Sequence, residues 1–284
     1  MQSPPLSSHT SANGPPSPDY VVPWGLAPAI AASVVLGRRR SFSADARRMV
    51  RCFKPQPRIE DAGYIPPGGP FVLVTNHCCK PGYHAWWGVA AIAATIAERR
   101  PGGPEMVWML ANRWTYANAL QSRVVTPLSH WVFTRLARTY GFISTPPMPR
   151  QEKYTEEGAQ SVRQILGLYG TSAVHSRPAI GVAPEGRDSE DGGLLEPPLG
   201  TGRLLLHLAR RGLRLLPVGV AEISGSLTLR FGPMFVLNPW PGLDKDERDR
   251  RASAQVMLAI GRLLPADLWG VYRAELEQGQ RSSE

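Results

Sequence analysis

The chain has 284 residues, of which 43% are hydrophobic, so it can bury a substantial core. Its length favours one domain with additional terminal helices over two domains. A formal net charge of +9 and a pI near 9.9 favour anionic partners, such as nucleic acid, anionic lipid or phosphorylated small molecules. The three cysteines, Cys52, Cys78 and Cys79, are too few and too poorly spaced for a disulfide framework, which favours a reducing compartment.

Residues 1–22 are predicted to form a disordered tail, because they are rich in Pro and Ser and poor in aliphatic residues. No positively charged stretch precedes an apolar one there, so the segment does not resemble a signal peptide. The apolar segment 24–36 is shorter than the roughly 20 residues of a membrane-spanning helix and contains Pro28. We interpret it as an interfacial or docking helix, with a transmembrane span as the less favoured alternative.

Residues 38–58 carry eight Lys or Arg residues and one acid, Asp45. Arginines at positions 40, 47, 48 and 51 could line one helical face, and a basic helix after a short apolar segment fits an anionic membrane surface. A solvated basic face explains the same charges equally well. No aromatic residues are interleaved with the charges in a nucleic-acid-binding pattern, so we expect no nucleic-acid partner. Residues 23–62 are therefore predicted to be a membrane-docking helical lead-in.

From about residue 70, short β-branched runs alternate with longer helical patterns. This alternation predicts an α/β domain over residues 63–240, with a mixed, largely parallel sheet flanked by helices, followed by C-terminal helices and a tail over 241–284. Strands are predicted at 71–75, 107–111, 140–144, 179–183, 215–220 and 227–231. Helices are predicted near 83–99, 115–137, 153–168, 202–211 and 246–264.

Two polar segments directly follow predicted strands. Asn76-His77 comes after the first strand, and Pro184-Glu185-Gly186 follows the fourth. Ligands of such sheets gather where strands end, so the two segments could face one cleft. A His at such a position can act as a general base, although a packed structural His is the commoner case. Arg187, in the turn after the second segment, could bind an anion or belong to an ordinary charged turn.

Together these segments resemble the glycerolipid acyltransferases, a family that includes the 1-acylglycerol-3-phosphate acyltransferases. Asn76-His77 matches the start of the family's Asn-His-x4-Asp box. Residues 183–189, Ala-Pro-Glu-Gly-Arg-Asp-Ser, are similar to its Phe-Pro-Glu-Gly-Thr-Arg-Ser box. A Gly-bearing helix over 200–209 and a Pro-Val strand at 216–218 follow in the family's order, and Tyr-Gly-Phe-Ile at 140–143 resembles its intermediate strand.

The resemblance implies that His77 removes a proton from an acceptor hydroxyl, which then attacks an acyl thioester on CoA or acyl carrier protein. It assigns the acceptor site to Glu185, Gly186 and Arg187. It also implies a glycerolipid-like acceptor, phospholipid biosynthesis at the cytoplasmic face of a membrane, and no metal or organic cofactor beyond the acyl-CoA or acyl-carrier co-substrate.

The chain departs from the family pattern at the acid that should orient the imidazole. Gly82 occupies the position of the family's Asp, and no Asp or Glu lies between Asp61 and Glu98. In the Ser-His-Asp triad the corresponding change costs about 10⁴ in rate. The family's Arg after the Gly-Phe strand is also absent from 145–147, and Arg187 is displaced by one position, so a non-phosphate acceptor is a credible alternative.

Three hypotheses remain at the level of sequence. The first is an active acyltransferase whose imidazole is oriented by a group other than the Asp that Gly82 replaces. The candidates are Asn76, Tyr83, His84, a backbone carbonyl and an acid within 185–191. The second is a degenerate acyltransferase that binds lipid or acyl carrier without turnover. The third is a hydrolase or transferase that uses Cys78 or Cys79 as a nucleophile. A metal site is not expected, because the His and Cys residues lack ligand spacing.

Overall fold

The computed structural model describes residues 18–77, 84–114, 118–147, 154–170, 177–189 and 191–281, apart from the side chains of residues 119–122. Within these ranges seven strands form one sheet in the order β1-β7-β6-β2-β5-β3-β4. All neighbouring strands are parallel except β6 and β7, which form an antiparallel hairpin. The strands are β1 (Arg58–Glu60), β2 (Val72–Thr75), β3 (Val107–Ala111), β4 (Ile143–Thr145), β5 (Ile180–Val182), β6 (Leu215–Ile223) and β7 (Ser226–Phe231).

Helices cover both faces of the sheet. In β2, Leu73 packs into one hydrophobic cluster with α2 and α3, whereas Val72 and Val74 pack into a second cluster with α6, α7 and α8. Successive strand residues point to opposite faces, so a strand buried on both sides is apolar throughout, as β2 is. The helices are α1 (Leu26–Leu36), α2 (Phe42–Val50), α3 (Ala85–Arg99), α4 (Ala119–Tyr140), α5 (Thr155–Gly167), α6 (Thr201–Ala209), α7 (Lys245–Gly261) and α8 (Arg273–Arg281).

The predicted fold class, a mixed and largely parallel sheet flanked by helices, is confirmed. The prediction of a strand over 140–144 is wrong at its start, because α4 continues to Tyr140 and β4 covers Ile143–Thr145. The Tyr140 hydroxyl donates to Asp45 on α2 at 2.9 Å, which holds the end of α4 against α2. The short edge strand β1, which pairs with β7, was not predicted.

Residues 18–22 were assigned to a disordered tail, and this assignment is wrong for the described part of it. The backbones of Asp19 and Lys54 exchange two hydrogen bonds, at 2.7 and 3.0 Å. The Tyr20 ring stacks on Trp87 and meets the edge of Phe53. Burial of an aromatic ring in the domain stabilises a segment that its Pro-rich composition alone would leave unfolded.

The helices of the predicted docking lead-in are packed onto the domain. Met49 of α2 is buried in the hydrophobic cluster that contains α3. Arg40 forms a bidentate ion pair with Asp45 of α2 at 2.6 Å. Arg135 of α4 donates to the Val34 and Val35 carbonyl groups at the end of α1, which ties these two helices together. Among the helices of the described residues, none combines the length and the apolar character needed to cross a membrane.

Candidate active site

The two polar segments lie side by side at one edge of the sheet. β2 and β5 are adjacent and parallel, with Val74 opposite Val182, so the residues that follow them leave the sheet at the same edge. His77 follows β2 by two residues, and Glu185 follows β5 by three. The carboxyl ends of parallel strands are where such sheets collect functional groups. Because β2 and β5 are neighbours in the sheet, the two polar segments predicted from the sequence lie in contact.

Asn76 fastens the end of β2 to β6. Its side-chain amide donates to the Val220 carbonyl at 2.9 Å and accepts from the Val220 N–H at 2.8 Å. The buried amide thus continues the β2–β6 ladder beyond Thr75, its last paired residue. Asn76 was one of the groups proposed to orient the imidazole, and its amide is instead bonded to backbone. It positions the chain at His77.

The Glu185 side chain is hydrogen-bonded to the His77 backbone. Its side chain is 1% exposed, and its two oxygens accept from the His77 N–H at 3.2 Å and the Leu195 N–H at 3.4 Å. Burial raises the pKa of this carboxyl to about 7, an effect that the His77 backbone hydrogen bond and the nearby imidazole partly oppose. Gly186 and Arg187, the next two residues, are exposed. The acceptor-binding roles of Glu185, Gly186 and Arg187 stay predictions.

An acid does stand beside the His77 ring. Nδ1 of His77 lies 2.6 Å from Oδ1 of Asp188, an ion-pair distance at which the two groups are not aligned as a linear hydrogen bond. No other described residue is bonded to Nδ1, which is itself buried, whereas the His77 side chain as a whole is 28% exposed. The exposed part of the ring therefore lies away from Nδ1. Asp188 falls within the 185–191 stretch proposed from sequence, although no sequence signal singled it out.

The loop that carries Asp188 is fixed at several points. Ser189 is buried and donates to the Asp191 carboxylate, which also accepts from the Gly193 N–H at 3.0 Å. Leu194 exchanges backbone hydrogen bonds with the segment after α7, donating to the Leu268 carbonyl at 3.0 Å and accepting from the Val271 N–H at 3.1 Å. The loop is thus held on both sides of Asp188, by Glu185 before it and by Ser189 to Leu194 after it.

The remaining sequence-predicted residues contribute less to this geometry. His84 is described, and it is exposed at the N-terminal end of α3, where its side chain makes no capping hydrogen bond. Gly82, Tyr83, Cys78 and Cys79 lie outside the described residues. In the part of the chain that is described, no group of three or more His, Cys, Asp or Glu residues is arranged to hold a metal ion.

The similarity of this chain to known proteins is found at the level of structure. No protein-family profile matches the chain, and no curated protein sequence matches it. Among solved structures, it is similar to the 1-acyl-sn-glycerophosphate (LPA) acyltransferase PlsC from Thermotoga maritima, with a TM-score of 0.46 and 13% sequence identity. The match covers 91% of this chain and 84% of that one. A likeness this distant assigns no activity.

Proposed function

We propose that this protein is an acyltransferase, which moves a fatty acyl group from an acyl thioester to a hydroxyl of a glycerolipid-like acceptor. The observation that supports it is the position of His77 at the end of β2, with one ring nitrogen against a carboxylate and the rest of the ring partly open to solvent. A second support is the contact between His77 and the Pro-Glu-Gly loop, the two segments that carry the family resemblance.

The proposed reaction uses His77 as general base and then as general acid. In this reaction the neutral ring carries its proton on Nδ1, the nitrogen that lies 2.6 Å from the Asp188 carboxylate, and the Nε2 lone pair is free. Nε2 takes the proton of the acceptor hydroxyl while the hydroxyl oxygen forms a bond with the thioester carbonyl carbon. The tetrahedral intermediate then expels the thiolate by breaking the C–S bond, and the imidazolium returns the proton from Nε2 to sulfur. The products are an ester and a free thiol.

The acceptor is the open part of this proposal. Glu185, Gly186 and Arg187 are proposed to form its site, with Arg187 as an exposed cation in the loop whose Glu185 accepts from the His77 N–H. Arg113, which follows β3 at the same edge of the sheet, pairs with both oxygens of Glu157 at 2.6 and 2.8 Å. That guanidinium is therefore already neutralised by protein, which favours a hydroxyl acceptor without phosphate over a glycerol phosphate.

The test is a transfer assay on the purified full chain. Acyl-CoA and acyl-carrier donors are offered against hydroxyl acceptors with and without phosphate, and ester formation and thiol release are both measured. We expect His77→Ala to abolish transfer, whereas His207→Ala, at an exposed position on α6, leaves it unchanged. Full activity in His77→Ala would show that the base is misassigned. Loss of activity in a Cys78→Ser/Cys79→Ser variant would favour a thiol nucleophile instead.

The alternative function is a degenerate acyltransferase that binds lipid or acyl carrier without turnover. Gly82, in place of the family's Asp, is the observation that favours it. In that case the same assay gives no ester with any donor or acceptor, while equilibrium binding of acyl-CoA or of the acceptor persists. Binding that is unaffected by His77→Ala would support this alternative.

The protein is also proposed to bind the surface of an anionic membrane peripherally, on the cytoplasmic side. Val124, Leu128 and Trp131 of α4 are exposed at the helical spacing that places them on one face, and Val35 and Leu36 are exposed on α1, against which α4 packs. We call these five residues the apolar face. Exposed arginines flank it at positions 38, 39, 123 and 138. Apolar contact combined with adjacent cations suits an anionic bilayer.

Liposome sedimentation of the full chain tests this surface. Binding is expected with anionic vesicles, and it should weaken as salt is raised because the Debye length shortens. A Val124→Ser/Leu128→Ser variant is expected to bind less, whereas Val271→Ser, which alters an exposed valine after α7, should bind as the parent does. Equal binding to neutral and anionic vesicles, or no binding to either, would contradict the proposal.

A further inference from the structure

We propose that Asp188 positions the His77 imidazole for catalysis, taking over the task of the carboxylate that is absent at Gly82. This inference rests on the acyl transfer proposed above. It starts from the 2.6 Å separation of Asp188 Oδ1 and His77 Nδ1. The acid comes from the loop after the neighbouring strand β5, whereas the family pattern places it five residues beyond the base, at the position of Gly82.

Neither of the other described acids in this loop performs that task. Glu185 lies under His77, but both of its oxygens accept backbone N–H groups, from His77 and Leu195. Asp191 is bonded to the Ser189 hydroxyl and to the Gly193 N–H. Among the described residues 185–189 and 191, Asp188 is therefore the acid whose carboxylate faces the ring.

Contacts made by neighbouring residues contribute to the position of Asp188. The Glu185–His77 backbone hydrogen bond sets the distance between the loop and the end of β2. Ser189, the next residue after Asp188, is buried and tied to Asp191. A carboxylate at position 188 is therefore carried to the ring by the backbone, which is the preorganisation that a positioning group requires.

Two departures from the family pattern thus compensate each other. The first box loses its Asp at Gly82, and the second box carries Asp188 where the family has Arg. The same exchange moves the family's cation by one position, to Arg187. Asp188 therefore supplies the orienting acid at the position where the family carries that cation.

Asp188 acts by holding the imidazole in one tautomer and by stabilising its cationic form during proton transfer. Its side chain is 57% exposed, so water screens the pair more than it screens a buried triad acid. We therefore expect Asp188→Asn to lower kcat by about 10²- to 10³-fold, less than the roughly 10⁴ of the Ser-His-Asp case, with KM for the donor little changed. Asp188→Glu should recover part of the loss.

The experiment compares Asp188→Asn with Asp61→Asn, the same chemical change at an exposed aspartate outside this loop. Steady-state kcat and KM are measured for both, with thermal unfolding as the check on folding. Histidine ring ¹⁵N NMR, with His77→Ala to assign the signal, reports the tautomer of the neutral ring without requiring turnover. In the parent protein we expect the proton on Nδ1. In Asp188→Asn we expect it to move to Nε2, and Asp61→Asn should resemble the parent.

The inference is overturned if Asp188→Asn retains the parent kcat and tautomer, or if Asp61→Asn loses as much activity as Asp188→Asn does. A Gly82→Asp/Asp188→Asn variant that recovers activity within about 10-fold of the parent would support the exchange. If no acyl transfer is found with any substrate, the proposed function fails. The NMR comparison then still decides whether Asp188 sets the His77 tautomer.

Discussion

Burial of the Glu185 carboxyl leads us to predict how the stability of the protein depends on pH. Its side chain is 1% exposed, and burial raises its pKa from 4.5 to about 7. Between these two values the folded protein retains a proton that the unfolded chain releases. The stability contributed by the protonated carboxyl is therefore fully present below pH 4.5 and is lost as pH rises through 7.

The size of the effect follows from the interval between the two pKa values. Each pH unit of that interval is worth about 1.4 kcal/mol, so the whole interval corresponds to about 3 kcal/mol of unfolding free energy. Glu185→Gln removes the titration. The Gln carbonyl can still accept from the His77 N–H, but its amide nitrogen then faces the Leu195 N–H, which adds a penalty that does not depend on pH.

Urea unfolding at several pH values between 5 and 8 measures this difference. The free energy of unfolding of the parent minus that of Glu185→Gln is expected to fall by about 2–3 kcal/mol across that range. Glu98→Gln, at an exposed position on α3, is the matched control for removing one carboxylate. A parent-minus-variant difference that stays constant, or that rises with pH, would refute the reasoning that burial of Glu185 dominates its ionisation.

Two further predictions concern the scaffold around the site. Gly202→Ala is expected to destabilise the protein by about 1–3 kcal/mol in urea unfolding, because the added Cβ would lie within 3.0 Å of the Asp249 carbonyl and carboxylate oxygens. Gly279→Ala, where a Cβ meets open space in α8, should instead stabilise by about 0.5–1 kcal/mol; equal effects at the two glycines would contradict this account. Asn76→Ala leaves the Val220 N–H and carbonyl without their side-chain partner. We therefore expect the free energy of unfolding to fall by about 2–4 kcal/mol and hydrogen exchange at the Val220 amide to become faster. Unchanged exchange at that amide would contradict this prediction.

Local sequence patterns predicted most of the secondary structure because they report on burial directly. The apolar run at β2 and the helical periodicity of α3 reflect which sides of each element face the core. The edge strand β1 has no such pattern, since its burial is slight, and it was missed. Tyr20 was missed for a related reason: its Pro-rich surroundings suggest disorder, and only the pocket formed with Phe53 and Trp87 orders it.

The sequence by itself determined that a His follows a buried strand and that an acidic, Gly-containing turn follows another. It also showed that the expected acid is replaced by Gly82. Only the tertiary structure decided that Asp188, far along the chain, lies against Nδ1 of His77 and that Glu185 lies beneath its backbone. The reason is physical: propensity and periodicity act between near neighbours in sequence, whereas this contact depends on β2 and β5 pairing side by side in parallel.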